Sequence, residues 1–280
     1  MRLTESVFTD GVDFPEASFH GLILDFDDTI TSPLITKGKQ KGQRIHDISR
    51  ILAAREIGIE MGNETLIGLT PEQSEESYLK AAEPTLEGSI AYLLHKAGVF
   101  RSHKDYDASN EWLVKIVDKR TELHTKLLKT HVELNPGARE LMQFGYERLP
   151  HGLAIASMAQ SGDIAIVLER FGLDVYMPED RIVARELVSK PKPNREVFDT
   201  AYHRLQIPSS GNAKQDARER LRTVAVDDSR GGVIAASKSG EFAIGLTSNM
   251  SPDGFKGAPA KIIVPDLRTI KAIMERRVAA

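Results

Sequence analysis

Five short apolar runs punctuate the chain, at 21–24 (GLIL), 152–156 (GLAIA), 223–226 (TVAV), 242–246 (FAIGL) and 261–264 (KIIV). Runs of four or five apolar residues with β-branched members and polar flanks fit strands buried on both faces, as in parallel sheets. Between them the apolar period lengthens. Residues 161–171 form an amphipathic pattern that stops at Gly172, 194–205 repeat it, and 231–239 make a small-residue helix before Gly240. Strand and helix alternate, which predicts an α/β fold built on a doubly wound parallel sheet.

One long stretch breaks the alternation. From about 31 to 149 the pattern is helical with almost no strand signal. Residues 45–57 place Ile45, Ile48, Ile51, Leu52 and Arg55 at helical spacing before Gly58, 87–97 stop at Gly98, and 111–128 give a third long helix. The pattern therefore predicts an all-helical domain, 31–135, inserted into a core made of 1–30 and 136–280. Residues 208–220 (PSSGNAKQDARER) are polar enough for an exposed excursion before the next strand. There is no internal repeat and no low-complexity tract.

Composition narrows the classes. With 280 residues, 41% hydrophobic and 28% charged, the chain is ordinary for a globular protein and can bury a large core. A formal net charge of -3 offers no broad basic field, so nucleic acid and anionic membrane are poor partners. The absence of cysteine removes disulfides, thiolate metal sites and thiol nucleophiles, and fits a reducing compartment. The first twenty residues are polar and interrupted by Pro15, and no apolar run approaches the roughly 18 residues of a membrane span. The expectation is a soluble, cytoplasmic protein.

Chemistry gathers where three of the five runs end. Asp25, Asp27 and Thr29 follow the first, Ser157 follows the second, and Asp227 and Asp228 follow the third of these, at 223–226. In an open parallel sheet ligands bind at the carboxyl ends of the strands, near the point where strand order reverses, so these side chains should converge across about two hundred residues of sequence. Four carboxylates in one pocket cannot all stay ionised without a divalent cation, a shared proton or both. Oxygen donors with neither His nor Cys among them favour Mg²⁺ over zinc. A carboxylate beside such a cation is a nucleophile for phosphorus, and a second one kept protonated can give its proton to the leaving oxygen.

At these residues the sequence closely resembles the haloacid dehalogenase superfamily of phosphohydrolases, in its β-phosphoglucomutase-like branch with a helical cap. The family's D-x-D-x-T motif stands here as Asp25-Phe26-Asp27-Asp28-Thr29, its serine as Ser157, its K-P-x-P lysine as Lys190-Pro191-Lys192-Pro193, and its last motif as Val226-Asp227-Asp228-Ser229. His46 with Ala53, Ala54, Gly58 and Ile59 resembles the first cap helix, and Asn135-Pro136-Gly137 the return turn.

The resemblance implies a Rossmann-like core with a cap that closes around a small phosphorylated substrate. It implies that Asp25 attacks phosphorus and that Asp27 acts as general acid and then base. Mg²⁺ would be held by Asp25, the Asp27 carbonyl and Asp228, with Asp227 ligating or supporting it. Ser157 and Lys190, chosen over Lys192, would bind the phosphoryl oxygens, and Thr29, a phosphate-site residue, would act mainly by shaping the loop. A phosphatase is the leading reading. A phosphomutase on the same residues and a non-catalytic metal-binding regulator are the alternatives, the last disfavoured because every motif residue is present. The link after Ile30 carries Lys37, Lys39, Lys41 and Arg44 and is either a solvated loop or a basic lip for an anionic substrate. His46 is expected on a helix surface, His95, His103, His124 and His131 lack metal-ligand spacing, and Trp112 and Phe144 are expected in cores.

Overall fold

A computed structural model describes residues 11–32, 34–35, 41–82 and 85–278. The chain divides into two compact units, one of Met1–Pro33 with Glu133–Ala280 and one of Leu34–Val132. Lys37, Gly38 and Lys39 of the basic link lie outside the described residues; Lys41 is exposed, and Arg44 is the N-cap residue of the helix that follows.

The first unit is built on six parallel strands: β1 (Gly21–Leu24), β2 (Leu153–Ala156), β3 (Ile182–Val183), β4 (Thr223–Asp227), β5 (Phe242–Leu246) and β6 (Ile262–Val264). Their order is β3-β2-β1-β4-β5-β6, so the chain moves outward from β1 on one side and then crosses to fill the other. Register aligns Leu24 with Ile155 on one side and with Val226 on the other, which brings the carboxyl ends of the three central strands level. Every residue of β1, β2, β4 and β5 is buried, as the unbroken apolar runs require of a sheet covered on both faces. On one face Ile23, Ala154 and Ala225 pack with Val197, Phe198 and Ala201 of helix Glu196–Arg204 and with Val233 and Ala236 of helix Arg230–Ser239. On the other, Gly145 of helix Ala138–Arg148 lies so close that a Cβ there would touch Leu22 and Leu153.

Two features of this unit depart from the sequence expectation. The strand β3 was not foreseen, because two residues are too few to show a period; it exists by pairing Ile182 with Ile155 and Val183 with Ala156. The stretch 208–220 is exposed as expected but is largely helical: Ala213–Leu221 forms a helix with no buried residue, started by Asn212, whose side chain accepts hydrogen bonds from Lys214 N and Gln215 N.

Apart from an antiparallel bridge between Leu34 and Arg44, the regular elements among the described residues of the second unit are helices: Ile45–Met61, Glu64–Ile67, Pro71–Leu79, Leu86–Lys96 and Glu111–Thr130. Its core joins Ala53, Ala54 and Ile57 to Leu66, Ile90, Leu94, Leu113 and Ile116. The first helix does not stop at Gly58. It runs on to Met61 and ends at Gly62, which takes the left-handed conformation at φ 65°. Gly58 serves packing instead, since a Cβ there would lie 2.7 Å from the Cβ of Leu66. His46 is not a surface residue: its ring stacks on His124 at 4.7 Å, its Nδ1 is 2.9 Å from Arg120 Nη2, and burial followed by the charges of Arg120, Arg50 and Arg44 holds its pKa well below the ordinary value. Phe144, in the first unit, is buried as expected, while Trp112 is only half-buried beneath the Lys115 ammonium.

Candidate active site

Three strand ends in the first unit supply the site. Asp25 is the residue after β1, and its backbone N–H still donates to Val226 O, so the side chain is fixed by sheet geometry. Asp227 closes β4, Asp228 follows it, and Ser157 follows β2 with its N–H on Val183 O. Carboxylate oxygens of Asp25, Asp227 and Asp228 all lie within 4.8 Å of one another, and all three residues are buried. Asp27 is half-buried and is not part of that trio.

Two of the three acids, Asp25 and Asp227, are tied together by a lysine. Lys192 Nζ donates to Asp25 Oδ1 at 2.5 Å, to Asp227 Oδ2 at 2.8 Å and to Ala156 O at 3.0 Å, and it lies 5.1 Å from the centre of the Phe198 ring. Lys190, the lysine expected there, is exposed. Its backbone N–H and the neighbouring Ser189 are bound by the Glu196 carboxylate, which anchors that part of the segment outside the site, while the chain turns Lys192 inward two residues later. The K-P-x-P spacing fits Lys190 alone, yet it is Lys192 that enters the site. Val197 and Phe198 are the first buried residues of the helix that follows, and the Lys192 ammonium lies over the Phe198 ring.

Each acid has a distinct setting. Asp227 is held on both oxygens, Oδ1 by Ser229 N and Oγ at 2.9 and 2.7 Å and Oδ2 by Lys192. Asp228 accepts from Thr29 Oγ1 at 3.2 Å on Oδ1 and from Asn249 Nδ2 at 2.9 Å on Oδ2. Thr29 thus orients an acid, and Asn249 does the same from the loop after β5; its role had no signature in sequence. Ser157 is fully buried, and its Oγ accepts from Ala159 N at 3.0 Å, which leaves the hydroxyl hydrogen available to an incoming oxygen.

Electrostatics favours a cation here. Burial raises the Asp25 pKa to about 7, with Lys192 pulling it down and Asp227 pushing it up. Burial, then the charges of Asp227, Asp25 and Asp28, raises that of Asp228 well above the carboxylate range. Burial opposes the charge on Lys192, but Asp227 and Asp25 outweigh it and raise its pKa. Three buried carboxyls facing one ammonium leave negative charge uncompensated, and all donors are hard oxygens. The residues therefore fit a divalent metal that prefers hard oxygen donors.

A family profile for haloacid dehalogenase-like hydrolases matches residues 49–245, well over half of the chain. The solved structures similar to it include β-phosphoglucomutase from Clostridium difficile (15% identity, 93% of this chain and 97% of that one, TM-score 0.61) and a hydrolase from Pseudomonas syringae (18%, 93% and 99%, TM-score 0.59). CbbY from Rhodobacter sphaeroides, in complex with phosphate, is similar at 20% identity over 89% of this chain and 95% of that one, with a TM-score of 0.59. A comparison with curated protein sequences finds no match. Among the described residues no helix is long and apolar enough to cross a membrane. The chain is an enzyme that belongs to the haloacid dehalogenase-like hydrolases, with the fold of their β-phosphoglucomutase-like branch.

Proposed function

We propose that the enzyme is a magnesium-dependent phosphatase of small phosphate monoesters that works through an aspartyl-phosphate on Asp25. The observation that carries this reading is the buried trio of Asp25, Asp227 and Asp228 at the carboxyl ends of β1 and β4, with Lys192 bridging Asp25 and Asp227. Asp25 and Asp228, with the Asp27 carbonyl, would hold the metal; Asp227, occupied by Ser229 and Lys192, would support it from behind. Bound there, Mg²⁺ would offset carboxylate charge and stabilise the negative charge of the transferring group.

The chain's own groups account for the steps. Asp25 forms an O–P bond as the P–O bond to the leaving group breaks, and Asp27 gives its proton to that leaving oxygen. Now a carboxylate, Asp27 takes a proton from water as the water oxygen attacks phosphorus and Asp25 is released. Ser157 and Lys192 meet the phosphoryl oxygens, and Lys192 also limits repulsion between Asp25 and Asp227. The phosphate carried by the similar CbbY structure suits such a site.

The test is a metal titration of purified protein on an aryl phosphate, followed by a panel of phosphorylated sugars, nucleotides and small acids. Hydrolysis should require Mg²⁺ and cease with EDTA, and Asp228→Ala should shift Mg²⁺ half-saturation far more than Asp227→Ala. Full activity in metal-free buffer would refute the reading, and conversion of a sugar phosphate to its isomer without phosphate release would replace it with a mutase.

A further inference from the structure

We infer that Asn135 is a positioning residue of this reaction: its side-chain amide locks the left-handed turn at Asp28 and so aims the neighbouring Asp27 carboxyl. Asp28 has φ 61°, one of two non-glycine residues with positive φ among the described residues. An L-residue pays for that conformation, and such strain persists at functional sites only where the surroundings over-determine it.

Here they do. The two hydrogens of Asn135 Nδ2 are shared among Asp28 O at 2.7 Å, Thr29 O at 2.9 Å and Thr31 O at 2.8 Å, and its backbone N–H donates to Ile30 O at 2.9 Å. One asparagine thereby engages four successive carbonyls of the loop that carries the reacting acids. Ser248 Oγ adds a second donor to Asp28 O at 2.5 Å, and Asp28 N is held by Thr31 Oγ1 at 3.1 Å. The amide is buried, and its own backbone is fixed by the Asn-Pro-Gly turn, in which Ala138 N donates to Asn135 O at 3.0 Å and Gly137 sits at φ 90° against Arg268. Thr31 and Asn135 lie where the chain leaves the first unit and returns to it, joined by the bridge from Thr31 to Leu134 and the bond from Ser32 N to Glu133 O.

The consequence falls first on Asp27, whose carbonyl is also a proposed metal ligand, so the leaving-group series is read at saturating Mg²⁺. Asp25 is fixed independently through β1, whereas Asp27 is carried by the turn itself. Loosening the turn should impair proton delivery to the leaving oxygen and spare nucleophilic attack, so the loss depends on how much the leaving group needs a proton. This inference rests on the proposed role of Asp27.

The experiment measures kcat and kcat/KM for Asn135→Ala, Ser248→Ala and Asp27→Asn on a series of phosphate monoesters from alkyl to nitrophenyl leaving groups. Asn135→Ala should lose on the order of 10²-fold on alkyl phosphates and far less on nitrophenyl phosphate, steepening the leaving-group dependence in the direction of Asp27→Asn. Ser248→Ala should do the same more weakly, and it decides the matter if Asn135→Ala does not fold. An equal loss on every leaving group, or none, would mark Asn135 as structural and overturn the inference. If Asp27→Asn itself leaves the dependence unchanged, it is the proposed acid that fails, an outcome distinct from a steep Asp27→Asn series beside flat Asn135→Ala and Ser248→Ala series.

Discussion

The Lys192 ammonium stands between Asp25 and Asp227, 2.5 Å from one carboxylate and 2.8 Å from the other, and so joins the ends of β1 and β4 in a single charged unit. Two acids that would otherwise repel share one cation, which pulls the Asp25 pKa down against the burial that raises it to about 7.

The first prediction follows directly. Lys192→Met should lower kcat by about 10²- to 10³-fold, because a donor at the transferring group and the counter-charge of Asp25 are lost together. Lys190→Met, at an exposed side chain, should leave turnover unchanged. Steady-state kinetics of the two variants checks this; the reverse ranking would restore Lys190 to the site.

The second concerns Gly232, in the first turn of helix Arg230–Ser239. A Cβ there would lie 1.8 Å from Asp227 Oδ2, whereas Gly231 has nothing within 4 Å of the same position. Gly232→Ala must displace a carboxylate held by Ser229 and Lys192, at a cost of about 1–3 kcal/mol for overpacking, with loss of activity. Gly231→Ala should keep both stability and turnover. Thermal unfolding and turnover of the pair give the comparison.

Much of the fold was legible because burial on both faces leaves unbroken apolar runs: β1, β4 and β5 stand within a residue of their expected ends. The sheet order and β3 were not legible, since order is a tertiary choice and two residues carry no period. Gly58 looked like a stop because glycine usually ends helices, while its bare Cα in fact admits Leu66. In the site, the acids and Ser157 could be placed by strand ends. Lys192, Asn249 and Asn135 could not, because their contacts run 21 to 167 residues along the chain and depend on which side of a turn a side chain leaves.

The third prediction is of pH dependence. His20 is buried at the start of β1, and burial, then the charges of Arg222 and His151, lowers its pKa from 6.5 to about 4. Between these values the unfolded chain takes up a proton that the folded protein refuses. Stability from this group is complete above pH 6.5 and is lost as the pH falls toward 4. His20→Gln should reduce the slope of unfolding free energy against pH in that window by about 1.4 kcal/mol per pH unit. Urea unfolding from pH 4 to 7 reads it, and an unchanged slope would show that His20 titrates normally.

The covalent role of Asp25 is the centre of the account, and Asp27 offers the way to see it. Asp27→Asn keeps the nucleophile but removes both proton transfers, so a substrate with a good leaving group can still phosphorylate Asp25 while hydrolysis of the adduct stalls. The decisive measurement is intact-mass spectrometry with peptide mapping after incubation with Mg²⁺ and acetyl phosphate or an activated aryl phosphate. Asp27→Asn protein should gain one phosphoryl group on Asp25, and Asp25→Asn protein should gain none and turn over at background. A phosphoryl group on another residue, or wild-type turnover by Asp25→Asn, would contradict the account and point to direct attack by water.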